Sequence, residues 1–180
     1  MAYLLDANVF ISAKRLHYGL DFCPAFWDWL IVMHRSAKLF SVEKVADEIS
    51  AFADDLSTWA AALDSSFFLS PTEQTLPALG QVTQWVREHA HPDGARYTPA
   101  ALNQFAQSAD FYLIAQALEA GHVLVTHEVP KNTPTKVQIP NVCLGLHVKC
   151  VTPFAMLRTE RARFVLQPPS SAGSAILAGL

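Results

Sequence analysis

Tyr3-Leu4-Leu5-Asp6-Ala7-Asn8 is the stretch on which the fold turns. Three apolar residues end abruptly at a carboxylate and give way to turn formers. That pattern describes a short, fully buried parallel strand running into a turn. An aspartate placed directly after such a strand is hard to bury without a partner, so Asp6 is the first candidate for chemistry.

Working outward, His122-Val123-Leu124-Val125-Thr126 has the same character and is the strongest strand in the chain. Phe67-Phe68-Leu69 reads as a further strand, residues 148–151 as a weaker one, and residues 38–40 as either a short strand or a connector. Between these runs the apolar residues recur at helical spacing. Phe26, Trp27, Leu30, Ile31 and Met33 mark one helix, and Val42, Val45, Ala46, Ile49 and Phe52 a second, with Ser41 as its expected N-cap. Leu76, Leu79, Val82 and Val86 mark a third. Thr98-Pro99 and Thr152-Pro153 are cap-plus-proline start signals, and Ser108 and Gly121 bracket a helix that carries Asp110 in its first turn. Strands alternating with helices predict an α/β fold, a three-layer α/β/α arrangement around a parallel sheet of four to five strands. The organisation expected is a single domain over residues 1–164, with a Pro-, Ser-, Ala- and Gly-rich mobile tail over 165–180. Residues 89–96 form a polar loop with Pro and Gly.

Composition narrows the function. With 51% apolar and 16% charged residues, the 180-residue chain is globular. A net charge of −3 does not advertise a nucleic-acid binder, yet a carboxylate-rich site lowers net charge while a local basic rim can still hold a phosphate backbone. Cys23, Cys143 and Cys150 form no CxxC, and their odd number argues against a disulfide framework. They read as small buried hydrophobes, and the expected setting is the reducing cytoplasm. No secretory leader and no membrane-length apolar run is expected. The seven histidines offer no HExxH pattern for zinc.

Four acids carry the functional reading. Asp6 ends the first strand, Glu48 borders the apolar face of the second helix, Asp110 opens the run Phe111–Leu118, and Glu128 follows the strand 122–126. Taken singly, Glu48 is a surface residue with Asp47 as its competitor, Asp110 a helix N-terminal acid, and Glu128 a solvated strand-end residue. Their order is another matter. The pieces Leu4-Leu5-Asp6-Ala7-Asn8-Val9-Phe10-Ile11, Val45-Ala46-Asp47-Glu48-Ile49, Ala109-Asp110-Phe111-Tyr112-Leu113-Ile114-Ala115 and Leu124-Val125-Thr126-His127-Glu128 resemble, in sequence, the PIN-domain nucleases over residues 2–157.

The resemblance implies a pocket of strand-end acids and cleavage of RNA that depends on Mg²⁺ or Mn²⁺. It further implies the toxin of a bacterial toxin–antitoxin pair, held in check by a cognate antitoxin protein, with homodimerisation through an apolar helix face around residues 22–33. By position, Asp6, Glu48 and Asp110 match the family's acids. Thr126 matches a hydroxyl that orients them, and Asn8 stands where a ligand or a turn former would. Glu128 falls where the family has Asp, one methylene shorter, and residues 84–107 are longer than in compact members. Both departures mark an outlying branch.

The chemistry is coherent with that resemblance. Hard carboxylate oxygens suit Mg²⁺ and Mn²⁺. Two unit charges ~4 Å apart repel by about 4 kcal/mol at an effective dielectric of 20, so converging acids call for a counter-charge. The expected roles are Asp6 and Asp110 on the principal metal, Glu48 as ligand or acceptor for the attacking water, and Glu128 supporting a second, looser metal. Thr126 and Asn8 would orient these carboxylates. Lys14, Arg15, Lys131 and Lys136 are the cations placed to meet RNA phosphates. The competing reading is a PIN-like module that has lost catalysis and binds protein. A phospho-aspartate phosphatase would need a second Asp where Asn8 stands, and a nucleotide switch would need a GxxxxGK[ST] loop that the chain lacks.

Overall fold

The computed structural model describes residues 1–89 and 94–165. The Pro-Asp core of the polar loop and nearly all of the expected tail lie outside the described residues. Five strands, β1 (Tyr3–Leu5), β2 (Leu39–Val42), β3 (Phe68–Leu69), β4 (Val123–Val125) and β5 (Cys150–Val151), form one parallel sheet in the order β3-β2-β1-β4-β5. The helices of the described residues are α1 (Ala7–Ser12), α2 (Pro24–Arg35), α3 (Glu43–Ser50), α4 (Asp55–Ala61), α5 (Thr75–Glu88), α6 (Pro99–Gln107), α7 (Ala109–Ala120), α8 (Ile139–Gly145) and α9 (Pro153–Thr159). The result is a three-layer α/β/α architecture, as the alternation of elements predicts.

Strand order decides where a site can form. From β1 the chain builds outward through β2 and β3, then crosses back to lay β4 on the other side of β1, followed by β5. The reversal falls between β1 and β4. At such a switch point the two connections leave in opposite directions and open a crevice beyond the carboxyl ends of the strands. Leu5 is paired with Val125 at those ends, so the next residues, Asp6 and Thr126, stand side by side at the crevice.

The core beneath it is apolar and continuous: Leu4, Leu5, Leu39, Val42, Leu113, Ile114, Leu124 and Val125 are fully buried. Asp6 ends β1 because α1 starts at once. Its backbone is extended (φ −70°, ψ 151°), and the Val9 amide donates to its carbonyl at 3.0 Å, the bond that closes the first turn. A π-helical turn over Ala13–His17 continues α1.

Three local expectations are corrected. Ser41 does not cap α3. It lies inside β2, fully buried, and its hydroxyl donates to the Leu5 carbonyl at 2.6 Å, so the parallel pairing of β2 with β1 and β3 claims it first. Phe67 closes a short 3₁₀ turn, Ser65–Phe67, and only Phe68–Leu69 is strand. Ser108 makes no side-chain cap; its hydroxyl donates back to Phe105 at 2.8 Å. The apolar stripe of α2 is spent on the core, with Phe26, Trp27, Leu30 and Met33 buried; Phe22 and Val32 are the exposed apolar residues there. Thr98 and Thr152 do cap, accepting from the Ala101 and Ala155 amides, each at 3.2 Å.

Candidate functional site

Asp6 is only 2% exposed, held at the crevice by its position after β1. The Asp6 amide donates to the Val125 carbonyl at 3.0 Å and the Thr126 amide to the Val151 carbonyl at 3.1 Å, which fixes both residues to the sheet. The Thr126 hydroxyl donates to one Asp6 carboxylate oxygen at 2.7 Å and accepts from the Glu128 amide at 3.0 Å. One hydroxyl thus orients the buried acid and folds the β4 exit over it.

Burial pushes the Asp6 carboxyl up to about 6. The nearby charges of Glu128 and Glu48 push the same way, while the Thr126 hydroxyl and the Asn8 amide oppose them. Asp110, in the first turn of α7, is pushed up to about 8, first by burial and then by the charges of Asp6, Glu128 and Glu48, with Lys136 alone pulling it back. Glu48, exposed on α3, reaches the start of α7, where its carboxylate accepts from the Ala109 amide at 3.4 Å. An anion at a helix N-terminus is favourably placed. All four acids therefore lie within electrostatic reach of one another at the switch point.

They do not share one task. Both Glu128 oxygens are occupied: Lys136 Nζ is at 2.6 Å from one and the Ile139 amide, at the start of α8, at 2.9 Å from the other. The methylene that glutamate has over aspartate lets this carboxylate reach past the crevice to α8. Here Glu128 tethers the β4 exit to Lys136 and to the start of α8. Among the described residues no three His, Cys, Asp or Glu side chains stand gathered as a ready ligand cage. The donor chemistry nonetheless suits a hard dication: the Asp6 and Asp110 carboxyls are held close to protonation by burial and by the charges of neighbouring acids, which a cation would relieve.

Residues 3–164 match the family described as Domain of unknown function (DUF4411). The chain belongs to that family. No curated protein and no solved structure matches it. The match spans every element that builds the crevice, from β1 to α9.

The remaining expected residues divide. The Asn8 side chain is exposed and makes no hydrogen bond among the described residues; the main-chain amide of Asn8 is what favours the Asp6 carboxylate. Lys14 is bound between Asp54 and Asp55 at the start of α4, so its charge is spent on a helix that the periodicity does not reveal. Arg15 lies over the Phe52 ring at 5.5 Å. Lys131 is exposed, and its backbone is pinned to Asn141 at 3.1 and 3.0 Å. Lys136 is the one of the four that faces the acids. Two contributors lie outside every motif: Ser41, which satisfies the last carbonyl of β1, and His127, between Thr126 and Glu128, whose ring contacts His17 and Phe154. Burial and the neighbouring His17 hold the His127 imidazole below its ordinary range. Sequence spacing gives no signal for either, because their partners are 36 and about 110 residues away. Among the described residues no helix is long and apolar enough to cross a membrane.

Proposed function

We propose that this chain is a divalent-metal-dependent nuclease of the PIN kind that hydrolyses RNA, acting as the toxin of a toxin–antitoxin pair. The observation that carries the reading is the pair Asp6 and Asp110. Two carboxylates are driven toward protonation by burial and by the charges of the acids around them, at the crevice where a parallel sheet reverses its order.

Asp6 and Asp110, with Glu48 beside them, are the residues that would hold Mg²⁺ or Mn²⁺. When bound, the ion would supply positive charge for the phosphate oxygens and acidify water at neutral pH. The chain's own groups do the rest. Thr126 holds Asp6 in one orientation, Glu48 is free at one oxygen to accept a proton from an attacking water, and Lys136 lends positive charge at the rim. Water attack gives products with a 5′-phosphate and a 3′-hydroxyl. A protein antitoxin covering the crevice, and a homodimer using exposed Phe22 and Val32, belong to the same proposal.

The Lys136–Glu128 pair favours a second reading, a crevice that carries its own cation and binds protein without catalysis. Purified protein incubated with mixed RNAs in Mn²⁺, Mg²⁺ or EDTA, beside Asp6→Asn, decides between them. Cleavage in metal that vanishes in EDTA and in the variant supports the nuclease. Intact RNA under every condition, or cleavage that survives Asp6→Asn, removes it.

A further inference from the structure

Three of the seven arginines of the chain fall within six residues, Arg158, Arg161 and Arg163. They line a single hollow of about 470 Å³ at the end of α9, together with Tyr18, Phe154 and Phe164. That volume is within the range of about 300–1,000 Å³ typical of small-ligand sites. Among the described residues none of the three guanidinium groups has a carboxylate partner. The acid inside the run, Glu160, is turned away: it accepts from the Tyr3 hydroxyl at 3.0 Å and from Lys38 at 3.3 Å. On a chain of net charge −3, three unpaired like charges around one concavity are a local reversal of sign.

The aromatic lining is ordered as well. Tyr18 stacks on buried Phe26 with ring centres 4.4 Å apart, and Phe164 meets both rings edge-on at 5.6 and 5.9 Å. Arg158 is near enough for its charge to pull back the Tyr18 phenol, which burial otherwise raises. Phe154 remains 36% exposed, its ring edge-on to His17 at 5.3 Å and to His127 at 5.8 Å. His127 is flanked in sequence by Thr126 and Glu128 of the acidic crevice. The exits of three adjacent strands therefore meet here: β1 through α1 to His17 and Tyr18, β4 at His127, and β5 through Thr152 to Phe154. Through the Phe154 ring the hollow reaches His127, the residue between Thr126 and Glu128.

We infer that this arginine-and-aromatic hollow binds single-stranded nucleic acid, holding the phosphates and a base of nucleotides flanking the one presented to Asp6 and Asp110. Guanidinium groups are fork-shaped donors suited to phosphate, and an exposed aromatic ring offers a stacking face to any unpaired base. A duplex keeps its bases stacked inside and cannot use Phe154 in this way. The inference deepens the nuclease reading and rests on it for the neighbouring role of the acids.

The test is fluorescence anisotropy of a labelled 12-nucleotide single-stranded RNA with the full chain in EDTA, from 50 to 300 mM salt. Three lost phosphate contacts, each worth about 0.7 in the slope for single strands, should lower the salt dependence by about 2 in Arg158→Ala/Arg161→Ala/Arg163→Ala, and weaken binding at least about tenfold at low salt. Phe154→Ala should weaken it about fivefold with the slope kept. Arg35→Ala/Arg87→Ala, outside the hollow, should bind within about twofold of wild type. Circular dichroism checks the fold, and the three single variants are read instead should the triple variant not fold. Wild-type protein that does not bind the RNA, a triple variant that binds like wild type, or a matched duplex that binds as tightly overturns the inference. So does loss of binding to anionic vesicles alone, which would make the hollow a lipid site. Metal-dependent cleavage with undiminished binding by the arginine variants removes the hollow and leaves the nuclease. Arginine-dependent binding without cleavage removes the nuclease and leaves the hollow.

Discussion

The acidic crevice and the arginine hollow share the carboxyl edge of one sheet, yet they are built in opposite ways. The crevice hangs its decisive side chain directly on a strand end, buries it, and crowds negative charges until two of them approach protonation. The hollow hangs its charges on a helix end, exposed to water, with no partner among the described residues. Burial makes the first site stiff and responsive to pH and cations, at a cost in stability. Exposure makes the second cheap to maintain and sensitive to salt. In the nuclease reading, a site for chemistry and a site for holding a polyanion call for those two constructions respectively.

The largest expected break in this contrast is Asp6→Asn. The substitution keeps size and the Thr126 contact but removes the buried charge. In the nuclease reading it should cost at least about 1,000-fold in metal-dependent RNA cleavage, measured as initial rate on a labelled substrate. RNA binding at the arginines should change little. A variant that keeps a tenth of wild-type activity would uncouple the crevice from chemistry.

How much of this could be read from the residues alone follows the same division. Strand ends are legible, because an apolar run that stops at an acid leaves few ways to arrange the chain; β1, β4, the α7 start with Asp110 and the threonine caps at 98 and 152 all emerge from local pattern. Long-range decisions are not. Ser41 has every local mark of an N-cap, and only pairing with strands on both sides makes it a buried donor to Leu5. Helix α4 is missed because its start depends on Asp54, which forms a capping box with Ser57 and also binds Lys14. Glu128 is read as a strand-end acid, whereas its direction is set by Lys136 and by the start of α8, a helix with no periodic signal in seven residues. The arginine run is plain in the sequence, but nothing local tells that Glu160 turns away from it.

A smaller effect is expected from Thr126→Val, which removes the one hydroxyl donated to the buried Asp6 carboxylate. Orienting partners of metal-binding acids are typically worth 10- to 100-fold, so metal affinity or cleavage should fall by about that factor. An unsatisfied buried acceptor should cost roughly 1–3 kcal/mol of stability in addition, seen by urea denaturation. Unchanged metal affinity by calorimetry would mean that the Glu128 exit loop, rather than Asp6, is what the hydroxyl organises.

Protonation gives the next step down. Asp110 has its carboxyl raised to about 8 in the folded chain, against 3.8 when unperturbed. Between those values the folded state holds a proton that the unfolded state has released, so metal-free stability falls as pH rises through the window. Asp6, raised to about 6, adds to the slope at its lower end. Asp110→Asn cannot ionise. It should therefore be more stable than wild type at pH 8 in EDTA, on the order of 1–3 kcal/mol, with the gap closing toward pH 5. In the metal-binding reading, Mn²⁺ should flatten the wild-type slope and leave the variant's unchanged. Wild-type stability that rises from pH 5 to 8 in EDTA would show the acids to be better compensated than their surroundings imply.

The smallest effect separates cations by their partners rather than by their place in the sequence. Lys14 follows β1 and stands near the crevice in the chain, which makes it the obvious phosphate contact. In the fold it is held by Asp54 and Asp55, so binding RNA would require breaking two ion pairs to gain one. Lys14→Ala should therefore leave single-stranded RNA affinity within about twofold of wild type and the salt slope unaltered. Asp54→Ala/Asp55→Ala should do the opposite, releasing Lys14 and raising affinity modestly, with a steeper slope. If Lys14→Ala weakened binding as much as the arginine variants do, nearness to the strand end would matter more than an unpaired charge, and the contrast between the two sites would have to be redrawn around the crevice alone.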